Sequence, residues 1–439
     1  MKIAFCLNYF LPNQVGGIEV YTYALANSLL KMGVKVLVFN PNFNCENNEL
    51  YEYEGIKVVK FAEPTVPNSL IQKGFKAPKG LNNFKQVLLE EKPDIVHFQE
   101  IGGSIGFSLF HFNLTHSLGI PIVTTIHLTG YTCKTNALLF KQQRPCDGKI
   151  NTKKCTSCII NEKGIKGFAN NVLTYLSIIC NYFPKISSKF SHKFFTAISV
   201  ATSIKYQKTR LNNIVNKSSY VVTLSQWYKQ VLILNNVDLL KIKVITQALP
   251  SITITKKQHT DIKKLKLIYV GRIDPTKGLH LILHALAKLN DSNISLSIYG
   301  KETDAMYAKA QKTFSKEMKN VFWKAVLHPS QVTAKIKEHD CLILPSIICE
   351  MSPLVIQEAF SVSVPVIASN VQGNVELISH EKNGWLFKRN DIEDLVLVLK
   401  NIMNNITVIK NTSHFIKPCK SFDTVAEEYL NLYQVSVQK

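Results

Sequence analysis

The sequence predicts an α/β protein built on two doubly wound parallel sheets. Three observations carry that prediction. Short apolar runs of strand length alternate with helical stretches from Lys2 to Ile245, the pattern of successive βαβ units. A second series of the same kind starts at Leu265, after a polar, basic stretch over 250–264 that reads as a linker. In each series the first strand runs through glycine into a helix, at the place where open α/β sheets hold ligands. A chain of 439 residues, 46% of them hydrophobic, is long enough for two or three domains with sizeable cores.

The first series opens with a strand over 3–7, a helix over 18–32 and a strand over 34–39. Between the first two lie Gly16 and Gly17. Adjacent glycines let a backbone approach a ligand closely and aim N–H groups at it. Gly33 closes the helix as a C-cap residue does. A strand over 56–61, a helix over 84–91 stopped by Pro93, a strand over 94–98, a helix over 107–117 and a strand over 120–127 follow. His127 ends that last strand, on the side that faces a ligand crevice. It is a candidate polar contact or proton carrier, with a structural histidine as the alternative.

Cys133, Cys146, Cys155 and Cys158 come next, within 26 residues. Cys155 and Cys158 have the two-residue spacing that bites a tetrahedral metal, and the other two thiols would complete four ligands. The flanking gaps are not those of a standard zinc finger. A structural zinc, an iron–sulfur cluster and free thiols stay open as readings. Over 141–217 there are fourteen Lys/Arg against Asp147 and Glu162, and over 168–215 aromatics interleave with the lysines. Such a surface attracts an anionic membrane; a core-facing helix pair with a solvated basic face is the alternative. Strands at 220–224 and 243–245 end the series.

The second series starts with a strand over 265–270, followed by Gly271-Arg272-Ile273-Asp274-Pro275-Thr276-Lys277-Gly278. Arg272 can fork onto phosphate oxygens, and Lys277 adds a point charge at a helix start. This is not a Walker loop, which needs Gly-Lys-Ser/Thr after four residues. Strands at 295–299 and 341–344 lead to Pro345–Asn370, which reads as loop, helix and strand. The loop carries Glu350, Met351, Ser352 and Pro353, the helix runs from Leu354 to Ser361 with Glu358 inside, and the strand spans 365–368. Pro353 suits the first turn of that helix, whose free N–H groups favour an anion. Along one continuous helix Glu350 and Glu358 would stand about 12 Å apart, too far for a hydrolytic carboxylate pair. They read instead as two clamps on one long ligand. A helix over 421–433 ends the reading.

Composition removes several classes. No apolar run reaches the length of a membrane helix. Lys2–Leu7 lacks the small-residue cleavage site of a signal segment and runs into Asn8 and Pro12, so it reads as a buried strand. Ten cysteines without a secretion signal point to a reducing, cytoplasmic location, with peripheral attachment to the cytoplasmic face of a membrane. A net charge of +21 suits a phosphate-bearing partner. No finger, RRM or helix-turn-helix pattern supports a nucleic-acid binder. A nucleotide-binding subunit without activity remains the other rival to an enzyme.

Taken in order, Gly16-Gly17, His127, GRIDPTKG and EMSPLVIQEAFSVSVPVIAS resemble the retaining, nucleotide-sugar-dependent glycosyltransferases of family 4 over nearly the whole chain. The resemblance implies the GT-B fold: two Rossmann-like domains facing across a cleft, with a final helix crossing back to the first. The divisions expected are 1–248, with a cysteine-bearing insertion at about 131–160, then 249–415 and 416–439. It implies a sugar passing from a nucleoside diphosphate sugar to a glycan or lipid-linked hydroxyl in cell-surface polysaccharide or glycolipid synthesis, without a catalytic metal. Arg272 and Lys277 would bind the diphosphate. Glu350 would contact the sugar, with backbone N–H groups from Met351 to Leu354 beside it. Glu358 would hold the ribose, Gly16 and Gly17 would cover the phosphates, and His127 would face the sugar. Catalysis is expected from Glu350, His127, Arg272 and Lys277. Ser363 and Gln372 stand where the family usually has glycine.

Overall fold

The computed structural model describes residues 1–439 apart from 15, 67, 69–70, 72–73, 75, 103–105, 181–196, 250–263, 418 and 439. The chain forms two compact units. One comprises Met1–Thr246 together with Phe422–Lys439, and the other Gln247–Ser421.

The first unit holds an eight-stranded sheet of β1 (Lys2–Cys6), β2 (Lys35–Phe43), β3 (Glu49–Tyr53), β4 (Ile56–Glu63), β5 (Ile95–Phe98), β6 (Ile122–Ile126), β9 (Tyr220–Thr223) and β10 (Ile242–Val244). The order is β10-β9-β6-β5-β1-β2-β4-β3. All neighbours are parallel except β3 and β4, an antiparallel edge the alternation did not signal. β5, β6 and β9 are buried along their whole length, as strands covered by helices on both faces must be. The short pair β7 (Leu139–Phe140) and β8 (Arg144–Pro145) is antiparallel and lies within the cysteine segment.

The second unit holds six parallel strands: β11 (Leu265–Val270), β12 (Ile294–Tyr299), β13 (Val321–Lys324), β14 (Cys341–Leu344), β15 (Val366–Ser369) and β16 (Gly384–Phe387). Their order is β13-β12-β11-β14-β15-β16. Apolar side chains fill both faces. The Leu279–Leu289 helix buries Leu279, Leu281, Ile282, Leu283, Ala285 and Leu286 on one of them, each large side chain contributing about 1.5–3 kcal/mol. The Leu354–Ser361 helix packs Ile356, Ala359 and Phe360 on the other.

In each sheet the first strand lies between strands that succeed it in opposite directions. The order therefore reverses beside β1, between β5 and β2, and beside β11, between β14 and β12. Such switch points leave a crevice at the carboxyl ends of the strands.

The helix of Phe422–Val437 returns to the first unit. Ser28 Oγ donates to Asp423 Oδ1 at 2.7 Å, and the Tyr21 and Tyr429 hydroxyls stand 3.1 Å apart. Strand β15 begins one residue later than the sequence suggested, and Pro353 is the N-cap of the Leu354–Ser361 helix rather than a residue of its first turn. Its ψ of 113° is extended, so it directs the loop into the helix. Ser363, at φ 60°, occupies the left-handed region, which explains why glycine suits that position.

Candidate active site

The loops after β11 and β14 meet at the second unit's switch point. Ile347 N–H donates to the Thr276 carbonyl at 2.8 Å. A Cβ on Gly278 would stand 2.1 Å from the Pro345 carbonyl oxygen, at a φ of 71° that favours glycine. The loops are thus pinned together, and their charged residues meet. Lys277 Nζ lies 2.6 Å from Glu350 Oε1, and Ser346 Oγ donates to the same oxygen at 2.5 Å. Both partners of the ion pair are largely buried. Among the described residues Glu350 Oε2 accepts no hydrogen bond.

Glu350 is fixed from behind as well. Its N–H donates to the Gln372 carbonyl at 2.9 Å, and a Cβ on Gly373 would meet the Glu350 carbonyl oxygen at 2.0 Å. Only the Gln372 backbone is used in that contact, so the glycine usual there is not needed for it. Arg272 reaches outward, 57% exposed, with Nε 3.6 Å from Asp274 Oδ2. Asp274 in turn caps the turn that carries Lys277, accepting from Thr276 N–H at 2.9 Å.

Glu350 precedes the Leu354–Ser361 helix and Glu358 lies within it, as the sequence places them, so the roughly 12 Å of a continuous helix does not measure their separation. Met351 and Ser352 form the bend before Pro353, and Leu354 starts the helix. The Glu358 carboxylate has no hydrogen-bond partner among the described residues. Burial pushes its pKa up to about 7.

In the first unit, Gly16 caps the Gly17–Lys31 helix in extended conformation, with the Glu19 carboxylate folded back against it. Tyr21 of that helix packs edge-on against His127, ring centroids 4.9 Å apart. His127 Nε2 stands 2.6 Å from Gln99 Oε1, so Nε2 carries the proton. Burial pushes the imidazole down to about 3. It is neutral at physiological pH, with its Nε2 proton directed to Gln99. Behind it, His97 Nδ1 lies 2.6 Å from the Tyr433 hydroxyl and His97 Nε2 2.8 Å from Thr125 Oγ1. Thr125 Oγ1 meets the Tyr429 hydroxyl at 2.8 Å. Glu100, past the end of β5, is pushed up to about 7 by burial and by the Glu19 carboxylate.

Cys133, Cys146, Cys155 and Cys158 are free thiols that line one pocket of about 30 Å³ with Leu138 and Phe140. Among the described residues no group of three or more His, Cys, Asp or Glu is placed to hold a metal ion. Each sulfur has a protein neighbour instead. Cys133 Sγ is 3.2 Å from the Thr135 hydroxyl, Cys146 Sγ faces Asp147, Cys155 Sγ accepts from Asn151 N–H, and Cys158 Sγ accepts from Lys141 N–H at 3.1 Å.

The sequence reading missed Ser346, Asp274, Gly278 and Gly373, which aim the charged residues, and Gln99, His97, Tyr429 and Tyr433 behind His127. The glycines sit in loops already singled out. The tyrosines lie on a helix about 300 residues away in the chain from the strands they serve, a pairing no local pattern reveals.

Two switch-point sites on doubly wound sheets, with the closing helix returned to the first unit, define a GT-B glycosyltransferase architecture. The pattern described as "Glycosyl transferases group 1" matches residues 251–417, and that described as "Glycosyltransferase Family 4" matches residues 15–150. The chain belongs to this glycosyltransferase family. It is 21% identical to an uncharacterized glycosyltransferase of Methanocaldococcus jannaschii, over 100% of this chain and 99% of that one. Its fold matches a sucrose-phosphate synthase from Thermosynechococcus elongatus with a TM-score of 0.69 at 15% identity, covering 99% of this chain and 98% of that one. It also matches HepE of Anabaena, solved in complex with UDP and glucose, with a TM-score of 0.63 at 15% identity, covering 99% of both chains.

Proposed function

We propose that the protein transfers a sugar from a nucleoside diphosphate sugar to a hydroxyl of a glycan or lipid-linked acceptor, with retention at the anomeric carbon. The observation that carries this is the half-used Glu350 carboxylate. Oε1 is held by Lys277 and Ser346, which leaves Oε2 to accept from sugar hydroxyls. Lys277 has three N–H donors and spends one on Glu350, so the same ammonium can reach a phosphate oxygen. Arg272 supplies a second cation and the Leu354–Ser361 helix its N-terminal N–H groups. Together they stabilise the charge that grows on the diphosphate as it leaves, the task a divalent ion performs elsewhere. Glu358 takes the two ribose hydroxyls. The acceptor hydroxyl enters on the face that the diphosphate leaves, and a departing phosphate oxygen takes its proton. The roles of Gly16, Gly17 and His127 toward the donor rest on the family resemblance.

HepE of Anabaena, which shares the fold, was solved in complex with UDP and glucose, so a first donor panel is uridine, adenosine and guanosine diphosphate sugars. Mass spectrometry of products formed on oligosaccharide and lipid-linked acceptors identifies the transferred sugar, and NMR of the new linkage reads its configuration. An α-configured donor giving an α-linked product supports the proposal. An inverted linkage overturns retention, and nucleotide binding with no transfer to any acceptor overturns the enzyme.

A further inference from the structure

The helix of Gly167–Cys180 is inside out. Asn170, Thr174 and Ser177 are its buried residues. Phe168, Val172, Tyr175, Leu176 and Ile179 are exposed, from 83% at Phe168 to 38% at Leu176. The exposed set follows i, i+4, i+7, i+8 and i+11, one continuous stripe along a helix of 3.6 residues per turn. The polar set follows i, i+4 and i+7 on the opposite side. This is the reverse of a soluble surface helix.

The inward polar residues are fully used. Asn170 Nδ2 donates to the carbonyls of Ser157 and Ile165, both at 2.9 Å. Ser177 Oγ donates to the Ile198 carbonyl at 2.7 Å and accepts from Ala201 N–H at 2.9 Å. The helix is therefore locked in this orientation and cannot roll its apolar stripe inward without stranding those groups.

Cations stand at the rim of the stripe. Lys153 Nζ donates to the Tyr175 hydroxyl at 2.6 Å and sits 4.7 Å from the ring centroid. Lys163 and Lys166, both exposed, lie on the turn just before Phe168. Over 149–180 there are five lysines and one acid, Glu162. An apolar stripe edged by lysine is what an anionic bilayer surface receives: apolar side chains enter the acyl boundary and the ammonium groups stay at the headgroups. Among the described residues no helix is long and apolar enough to cross a membrane.

We propose that the outer face of the Gly167–Cys180 helix docks the protein on an anionic lipid bilayer, lying in the plane of the headgroups. This deepens the lipid-linked acceptor reading by naming the surface that would bring the enzyme to such a substrate. Lys185, Lys189 and Lys193, three of the fourteen basic residues over 141–217, lie outside the described residues, and nothing here depends on them.

The test uses the full chain and sedimentation with vesicles of phosphatidylcholine and phosphatidylglycerol in equal parts, against phosphatidylcholine alone. Cosedimentation with the mixed vesicles is expected. A variant carrying Phe168→Ser and Ile179→Ser is expected to bind at least about tenfold more weakly at low salt, from the apolar area it loses. A variant carrying Lys163→Glu and Lys166→Glu is expected to lose the preference for anionic vesicles. Recovery of the unmodified chain in the supernatant with both vesicles overturns the proposal. So does equal binding by the serine variant, or a concentration-dependent dimer that the serine variant abolishes, which would make the stripe a contact between copies. Transfer to a water-soluble oligosaccharide, assayed in parallel, is independent of docking, so failure of this surface and failure of the transferase reading give different results.

Discussion

Lys277 Nζ stands 2.6 Å from Glu350 Oε1, so the cation expected at the diphosphate and the carboxylate expected at the sugar form one ion pair. They come from loops that follow different strands, and 73 residues separate them in the chain. The pair ties the two expected donor contacts together before any donor arrives.

Lys277→Ala is expected to lower kcat about a hundredfold or more, the scale of losing one charge stabiliser. It also strands Glu350 in a largely buried place. Lys277→Ala combined with Glu350→Ala is therefore expected to cost less than the two single changes added together. Steady-state kinetics on chains whose circular dichroism matches the parent checks this. Strict additivity would show that the contact has no part in turnover.

Glu358 gives a pH signature. Its carboxyl, raised by burial to about 7, must be ionised to accept from two ribose hydroxyls. Nucleotide affinity is expected to rise with pH up to about 7 and then level off. The unliganded protein is expected to do the opposite. An unfolded glutamate titrates near 4.3, so stability falls as pH climbs from there through about 7, where the folded state must carry a buried charge. Glu358→Gln removes both trends, and Glu358→Ala weakens nucleotide binding by about 1.5–3 kcal/mol. Calorimetric titration from pH 5 to 8 with a nucleoside diphosphate reads the first trend, and denaturant unfolding over the same range reads the second.

Tyr433→Phe removes the hydroxyl 2.6 Å from His97 Nδ1 and leaves this fully buried imidazole nitrogen only its longer contact with Gln99 Nε2 at 3.4 Å. A loss of about 1–3 kcal/mol in urea unfolding is expected. Tyr23→Phe, at an exposed hydroxyl bonded to Glu54, is expected to change stability by less than about 0.5 kcal/mol. Equal effects of the two would mean that the buried network adds nothing.

We propose that the four thiols around one pocket close on a zinc ion, exchanging their present partners for the metal. About one equivalent of zinc is expected in protein purified without chelator, and Cys155→Ser or Cys158→Ser is expected to lower the melting temperature, because binding at such a site is coupled to folding. Elemental analysis without metal, together with reaction of all four thiols in the folded chain, would refute this.

The order of strands and helices was legible because the buried strands are short, mostly apolar runs and the helices between them have their own period. Arg272, Lys277 and Glu350 stood out because strand-end loops are short and their charged residues few, and Glu358 because it is the one acid in the Leu354–Ser361 helix. The Lys277–Glu350 contact was not, since it depends on how closely Gly278 lets one loop approach Pro345. The edge strand β3 escaped because Glu49–Tyr53 is mostly exposed and carries little apolar signal. The Gly167–Cys180 helix was read as part of a basic, aromatic surface, with a membrane and a core as the two alternatives for its apolar side. Periodicity gives a stripe but not the side it faces, and here Asn170 and Ser177 decide that.

The return of Phe422–Val437 to the first unit has a consequence for how the protein is made. Tyr429 and Tyr433 complete the hydrogen bonds of His97 and Thr125, yet a ribosome reaches them only after the whole of Gln247–Ser421. The first unit emerges early and waits, with polar groups at the centre of its sheet still unanswered, while the second is synthesised and can fold at once. The last step of the first unit's folding therefore follows synthesis of the whole second unit. A nascent chain stalled anywhere before residue 422 would present the cell's quality control with one finished unit and one that cannot yet close.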